Sequence, residues 1–353
     1  MNNHFRHRFW RVQQGLIFDN AKHQLWAFDA SSLEQKESLI ADFLPQMRQK
    51  IKKIKTPSAD QSLSYNAGHL SSKISNSAYL DLVKQVQEDI KSGRYYQLNL
   101  LRYFENTRLL SFAEKLARLR YYGASYSSWI YLSDLEVLSF SPEQFIEIDP
   151  IDEKHAQIST FPIKGSIARS NDPANDLAAA AKLLASKKDL AELHMIVDLM
   201  RNDLHKIAVR HSVSIENSNA LKSLAHIHHL FAVIRAKILP DLTLQNILSA
   251  VCPAGSISGA PKIEVMKAIK EYENRPRNYF MGNIFYQTAN GKFDSSILIR
   301  TLVGKGYQSD SPLDYAAGSG ITINSDAETE MKEIDLKCAS VLRPLNVSKK
   351  GVE

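Results

Sequence analysis

AGSGITINSDAETEMKEIDLK, residues 317–337, reads as a strand that runs into a helix. The strand reaches back through LDYAAGS, and the helix is expected from about Asp326 to Leu342. Ser325 opens S-D-A-E, a capping box with Glu328 in which the hydroxyl and the carboxylate each take a backbone N–H. Gly318 and Gly320 carry no Cβ, so backbone N–H groups there are expected to approach a ligand closely. Glycine-lined backbone beside a helix N-terminus is a good place for an organic carboxylate, because unpaired N–H groups point at it. Further along the helix, Glu330 and Glu333 lie three apart and share a face.

A second acidic pair, Asp189 and Glu192 in KKDLAELHMIVDLM, has the same spacing. Leu190, Leu193, Ile196 and Val197 surround Glu192, so this helix is expected to be largely buried. A buried carboxylate is expensive unless it is paired or metal-bound. Two glutamates from separate helices, with water and substrate oxygens, suit Mg²⁺. An acidic pair standing alone is more often a solvated helix face; the neighbourhood distinguishes this one. PAGSISGAPK, residues 253–262, is a second tight turn into a helix, with two glycines and two hydroxyls. Pro261 is expected at its first helical position, where a missing N–H costs nothing.

Outward from these stretches, helices are expected after Asn76 or Ser77, which can cap, with Gly93 at the far end, and over SFAEKLARLRYY. A long helical stretch is expected from about Pro173 to Leu204 and a short helix at LQNILSA. Strands are expected at GLIFD, QLWAF, YYQLNLLRYF, SWIYLS, EVLSF, QFIEID, VSIEN, HHLFAVIRAKIL, NIFYQT and SILIRTL. Strands and helices mix without strict alternation, which favours an α+β architecture of large antiparallel sheets with outer helices. The organisation is read as an N-terminal segment over 1–60, a catalytic domain over 61–345 and a tail over 346–353.

The 353 residues are 44% hydrophobic and 23% charged, an ordinary globular composition. No stretch approaches the roughly 18 to 20 apolar residues of a membrane span, and the basic N-terminus lacks the apolar core of a secretory signal. Two cysteines without metal-type spacing point to a reducing cytoplasm. The net charge of +6 is scattered, with no zinc spacing, aromatic RNA-binding signature or arginine stripe, so nucleic acid is disfavoured as a partner. An anionic small-molecule substrate accounts for the basic balance better.

PAGSISGAPK resembles the GSITGAPK signature of the chorismate-utilising enzymes, a family that includes anthranilate, aminodeoxychorismate, isochorismate and salicylate synthases. The resemblance continues in the family's order through YYQLNL (95–100), SFSPEQF (139–145), FPIKGS (161–166), AELHMIVDLMRNDL (191–204), HHLFAVI (228–234), MGNIFY with ILIRTL (281–302) and AGSGITINSDAETEMKEIDLK (317–337). It implies the family fold, two large, mainly antiparallel sheets with outer helices in an α/β sandwich. By resemblance, Glu192 and Glu333 hold Mg²⁺ with Glu330 and Asp189 as companions, and Arg300 grips the enolpyruvyl carboxylate. Lys337 and the backbone near Gly318 and Gly320 match the group around the ring carboxylate, and His229 lies beside the departing C4 hydroxyl. Gln97, Gly165, Ser166 and Ser258 fall at further substrate-contacting positions.

Two positions bear on the chemistry. Family members that add water at C2 carry a basic lysine where this chain has Gln97, and an amide is no base at neutral pH. Lys164 in FPIKGS matches the aminodeoxychorismate branch, whose lysine attacks ring C2 before ammonia enters at C4; anthranilate synthases carry PIAGT there. Such a lysine must be neutral, which burial near cationic groups permits. Ser166 and Ser258 stand for family threonines, Phe280 for a tyrosine, Phe285 for a glycine and Ala232 for a serine. The chain has no G-x-C-x-G amidotransferase nucleophile, so the resemblance implies a separate glutamine amidotransferase subunit as the ammonia source. Anthranilate synthase component I and a non-catalytic chorismate-binding subunit remain the alternatives.

Overall fold

In the strand Gln97–Asn106 the side chains sort by parity: Leu98, Leu100 and Phe104 enter one hydrophobic cluster, Leu101 and Tyr103 another. Successive residues of a strand point to opposite faces, so this strand separates two cores and is buried on both sides. That explains the nearly continuous apolar run LNLLRYF, where a half-exposed strand would alternate with polar residues.

The computed structural model describes residues 14–19, 24–29, 64–65 and 70–346, apart from 107–108, 123, 153–154, 224–226, 240, 307–311 and 343–344. The chain divides into two compact units, one of Tyr65–Ser111 and Lys115–Leu345, the other of Met1–Ser64, Phe112–Glu114 and Asn346–Glu353. Within the smaller unit, Gln14–Asp19 and Gln24–Asp29 pair as an antiparallel hairpin, as GLIFD and QLWAF predict.

The larger unit holds two sheets of seven strands each. In chain order the strands are β1 (Leu70–Ser72), β2 (Gln97–Asn106), β3 (Tyr126–Tyr131), β4 (Glu136–Ser141), β5 (Gln144–Pro150), β6 (Ala156–Thr160) and β7 (Ile163–Ala168). They continue as β8 (Ser214–Ser223), β9 (Ile227–Lys237), β10 (Gly259–Ala260), β11 (Asn283–Gln287), β12 (Phe293–Ile297), β13 (Thr301–Gly304) and β14 (Asp314–Ile321). The first sheet runs β10-β2-β14-β13-β4-β3 with β1 on β2; the second runs β7-β9-β6-β5-β12-β11 with β8 on β9. The pairings are antiparallel, as expected of the α+β class.

The helices are α1 (Asn76–Lys91), α2 (Phe112–Tyr121), α3 (Pro173–Leu184), α4 (Lys187–His205), α5 (Leu244–Val251), α6 (Lys262–Glu273) and α7 (Ala327–Leu342). One cluster joins the facing sides of both sheets and the buried stripe of α4, with Leu193, Ile196, Val197, Met200 and Leu204. The other lies between the first sheet and α1, α6 and α7. No helix among the described residues is long and apolar enough to cross a membrane.

Several local expectations shift. Ser75, not Asn76 or Ser77, caps α1, its hydroxyl accepting from the Ala78 N–H at 3.1 Å, and Gly93 follows with φ +82°. The stretch from Pro173 breaks into two helices because Ser186 caps the second. Pro261 is the cap of α6 rather than its first residue. The capping box at Ser325 does not form: Asp326 takes the Thr329 N–H at 2.9 Å, and Ser325 Oγ instead accepts from Thr322 N at 3.1 Å. SILIRTL is interrupted at Arg300, whose φ of +52° no strand tolerates.

Candidate active site

Lys164 sits where β7 pairs with β9. The register shifts between Lys164 and Ser166, a bulge accommodated by Gly165 at φ +70°. A Cβ on Gly165 would lie 2.8 Å from the Asp189 Cβ, so α4 packs directly over the bulge. Lys164 then reaches from the second sheet to the first: its Nζ is 3.8 Å from the point where a Cβ on Gly320 would be. That point is 2.4 Å from Gln97 Nε2, and the matching point on Gly318 is 2.5 Å from Asn99 Oδ1. The glycines of β14 therefore make room for the side chains of Gln97, Asn99 and Lys164, beyond the backbone approach expected of them.

The charged groups that Lys164 faces are chiefly carboxylates, Glu143, Glu192 and Glu333, with Lys337 the cation among them. Of the neighbouring cations expected, Lys337 is present, and the carboxylates outnumber it. Glu143 is buried, and burial pushes its carboxyl up to about 7 against the opposing pull of Lys164. The Ser256 hydroxyl and the Ile163 backbone face the same carboxyl. An amine and a carboxyl that burial moves up to about 7 thus share one cleft.

The four acids singled out by spacing meet different partners. Burial raises the Glu192 carboxyl, with Lys164 and Lys188 opposing and Glu330 and Asp189 reinforcing it. Lys188 Nζ stands 3.9 Å from Glu192 and 3.8 Å from Glu330, bridging α4 and α7. Glu330 is buried and accepts the Ser319 hydroxyl. Burial also raises Glu333, but Lys337 at 2.5 Å, with Lys164 and Lys188, leaves it below its ordinary value. Asp189 accepts the Ser186 hydroxyl, and Ser186 Oγ takes the Asp189 N–H at 3.3 Å, which makes Asp189 part of the α4 cap.

Among the described residues no three acids, histidines or cysteines close around a metal position. The donor chemistry nevertheless fits Mg²⁺, which prefers carboxylate oxygens and keeps several waters. Glu192 and Glu333 come from two helices and face the same lysines, and the carboxylates around Glu192 disfavour its own charge.

The remaining groups are basic or neutral. His229 Nδ1 lies 2.6 Å from Ser166 Oγ across the β7–β9 ladder. Burial holds the imidazole below its usual range, with a backbone hydrogen bond to Gly165 working the other way. Arg300 donates to Ser340 Oγ at 2.6 Å and Tyr122 Oη at 3.4 Å, and its charge is felt at both His229 and Lys337. Lys337 donates to the Gly318 carbonyl at 2.8 Å, and burial lowers its pKa despite Glu333. The Ser258 hydroxyl is already engaged by the Ala254 carbonyl at 2.8 Å, so it shapes the 253–262 turn rather than standing open.

A profile of the family described as chorismate binding enzyme matches residues 2–343. The chain belongs to that family. Aminodeoxychorismate synthase component 1 of Salmonella typhimurium is 38% identical over 275 residues, covering 78% of this chain and 59% of that protein. The Escherichia coli protein of that name is 37% identical over the same shares. Anthranilate synthase component 1 of Methanothermobacter thermautotrophicus is 30% identical over 96% of this chain and 69% of its own length. The chain spans about three-fifths of the length of the aminodeoxychorismate synthases it matches. The crystal structure of anthranilate synthase component I from Streptococcus pneumoniae superposes with a TM-score of 0.79 at 27% identity, over 94% of this chain and 72% of that one.

As a chorismate-binding family member the chain places its departures in packing. Ala232 is fully buried, Phe280 meets Tyr103 edge-on at 6.1 Å, and Phe285 stacks on Phe293 at 5.0 Å. The spacing arguments pass over Glu143, Asn99 and Lys188. Glu143 lies inside SFSPEQF, where an acid within an apolar strand pair was a readable signal. Asn99 alternates with Gln97, and Lys188 sits four before Glu192.

Proposed function

We propose that this chain aminates chorismate, replacing the C4 hydroxyl with ammonia to give 4-amino-4-deoxychorismate, a precursor of 4-aminobenzoate and folate made in the cytoplasm. The observation that carries this reading is that Lys164 ends beside the glycine run of β14 in the same cleft as buried Glu143, whose carboxyl feels its charge. In the proposed course, Lys164 Nζ bonds to ring C2 as the C4–O bond breaks and the two ring double bonds shift. Glu143 gives its proton to the leaving hydroxyl, which departs as water, and accepts the proton released by Lys164. Ammonia then bonds to C4, the double bonds shift back and the C2–Nζ bond breaks as Glu143 returns its proton to the departing Nζ, which restores the free amine. The new ammonium at C4 gives up a proton to recharge Glu143. His229, held by Ser166, is neutral at physiological pH and is suited to hydrogen-bond the departing oxygen rather than to charge it. Arg300 and Lys337 supply the positive charge for the two carboxylates.

Glu192 and Glu333 would hold Mg²⁺, with Glu330 and Asp189 behind them. The ion would stabilise negative charge developing on the departing oxygen. The word component in the relatives' names, and the absence of a G-x-C-x-G motif here, support a glutamine amidotransferase subunit as the ammonia source.

The test incubates the protein with chorismate, Mg²⁺ and an ammonium salt, and identifies the product by mass and ultraviolet spectrum. A product that keeps its enolpyruvyl group supports the reading; anthranilate with released pyruvate overturns it.

A further inference from the structure

We propose that Lys188 is a counter-ion built into the metal site, holding the carboxylates of Glu192 and Glu330 together and giving way when Mg²⁺ binds. This rests on the metal reading above and adds a residue that sets how tightly the ion is held. Lys188 lies in the first turn of α4, four residues before Glu192, so the two side chains share a face of that helix. Its Nζ stands 3.9 Å from Glu192 Oε1 and 3.8 Å from Glu330 Oε1, and so spans from α4 to α7. Its charge also reaches Glu333, whose own close partner is Lys337.

These carboxylates need a cation. The side chain of Glu330 is 4% exposed and that of Glu192 19%, and Glu330 and Asp189 each disfavour a charge on Glu192. Like charges held this far from water repel, and one positive group between them offsets that. At nearly 4 Å the ammonium is beyond hydrogen-bond distance, so it acts through its charge alone. Its side chain is 55% exposed, which leaves it free to swing toward solvent. Mg²⁺ carries twice the charge and takes carboxylate oxygens into its own shell, so it displaces a loosely held ammonium. A dication at Glu192 also repels the lysine. The acids therefore always face a cation, and the ammonium competes with the metal for them.

The experiment is calorimetric titration of the full-length, chorismate-free protein with Mg²⁺ at fixed ionic strength, beside thermal melts in EDTA and in saturating Mg²⁺. Lys188→Met removes the charge and keeps most of the stem, and Lys188→Arg keeps the charge. Lys187→Met removes a charge from the exposed neighbouring position and controls for net charge. Lys188→Met should bind Mg²⁺ about three- to tenfold more tightly than wild type, the scale of one or two partly exposed ion pairs. It should also melt lower than wild type in EDTA and recover with Mg²⁺. Lys188→Arg and Lys187→Met should bind Mg²⁺ within about twofold of wild type. Unchanged or weaker Mg²⁺ binding in Lys188→Met, or the same gain in Lys187→Met, overturns the proposal. Wild-type protein that binds no Mg²⁺, or binding that Glu192→Gln leaves intact, sinks the metal reading itself, and that result is seen before Lys188 is changed.

Discussion

Glu143 and Lys164 share a cleft, and each makes the other's proton useful. Burial lifts the Glu143 carboxyl from 4.5 to about 7, so it stays protonated well above the range of an exposed acid. Turnover that needs its proton should fall as pH rises through about 7. Glu143→Gln should slow the reaction at least about a hundredfold, the scale of general-acid catalysis, and abolish that alkaline limb. The sign for stability is the reverse of the usual carboxylate case. Between 4.5 and about 7 the folded protein holds a proton that the unfolded chain has released, so wild-type stability declines as pH rises through this window. Urea unfolding should find Glu143→Gln gaining on wild type between pH 5 and 8, by on the order of 3 kcal/mol. No relative gain would mean that the carboxyl is not desolvated. Lys164→Ala removes the attacking amine, and any residual product should shift toward amination at C2. A variant as fast as wild type with the same product would end the covalent route. Lys164 was legible from its motif, whereas the convergence of carboxylates on it was not, because they come from the β4–β5 turn, α4 and α7 and meet only in the cleft.

At the scale of elements, the bulge at Gly165 aims two residues at once, Lys164 into the cleft and Ser166 onto His229. Alanine there would need the left-handed backbone, at about 1–2 kcal/mol, and its Cβ would press on the Asp189 side chain. Gly165→Ala should lower stability by about that amount and reduce kcat by a larger factor, since both ladder partners lose their aim. Thermal melts beside kinetics check this, and full activity in a destabilised variant would detach the bulge from catalysis. Helix caps show where local reading gave out. Ser325 and Asp326 are adjacent capping residues, and the turn Thr322–Ser325 decides between them by drawing the serine hydroxyl away. Asp189, read from spacing only as a metal companion, also accepts the Ser186 hydroxyl at the start of α4, a contact that spacing did not show.

Across the molecule, the cleft is a meeting of the two sheets with α4 and α7, and two properties follow from that assembly. Calorimetric titration with Mg²⁺ should detect one site in wild type that Glu192→Gln or Glu333→Gln weakens severely; unchanged binding in both would remove these glutamates from the metal. Rigorously pure protein should use ammonium salts but not glutamine, and glutamine-dependent product from it would contradict a separate amidotransferase. Cys252 offers no substitute nucleophile, since burial pushes its thiol up to about 11. The class of the fold, the identity of most strands and helices and the spacing of the acidic pairs were legible in the chain's own patterning, because periodicity and short-range spacing are properties of neighbouring residues, while Lys164 and Arg300 were singled out by the family resemblance alone. What only the tertiary structure decided is which of them face one another: Glu143 against Lys164, Gln97 and Asn99 over the glycines of β14, Lys188 between Glu192 and Glu330. Those encounters join residues far apart in the chain, and packing between sheets, not local sequence, sets which side chains meet.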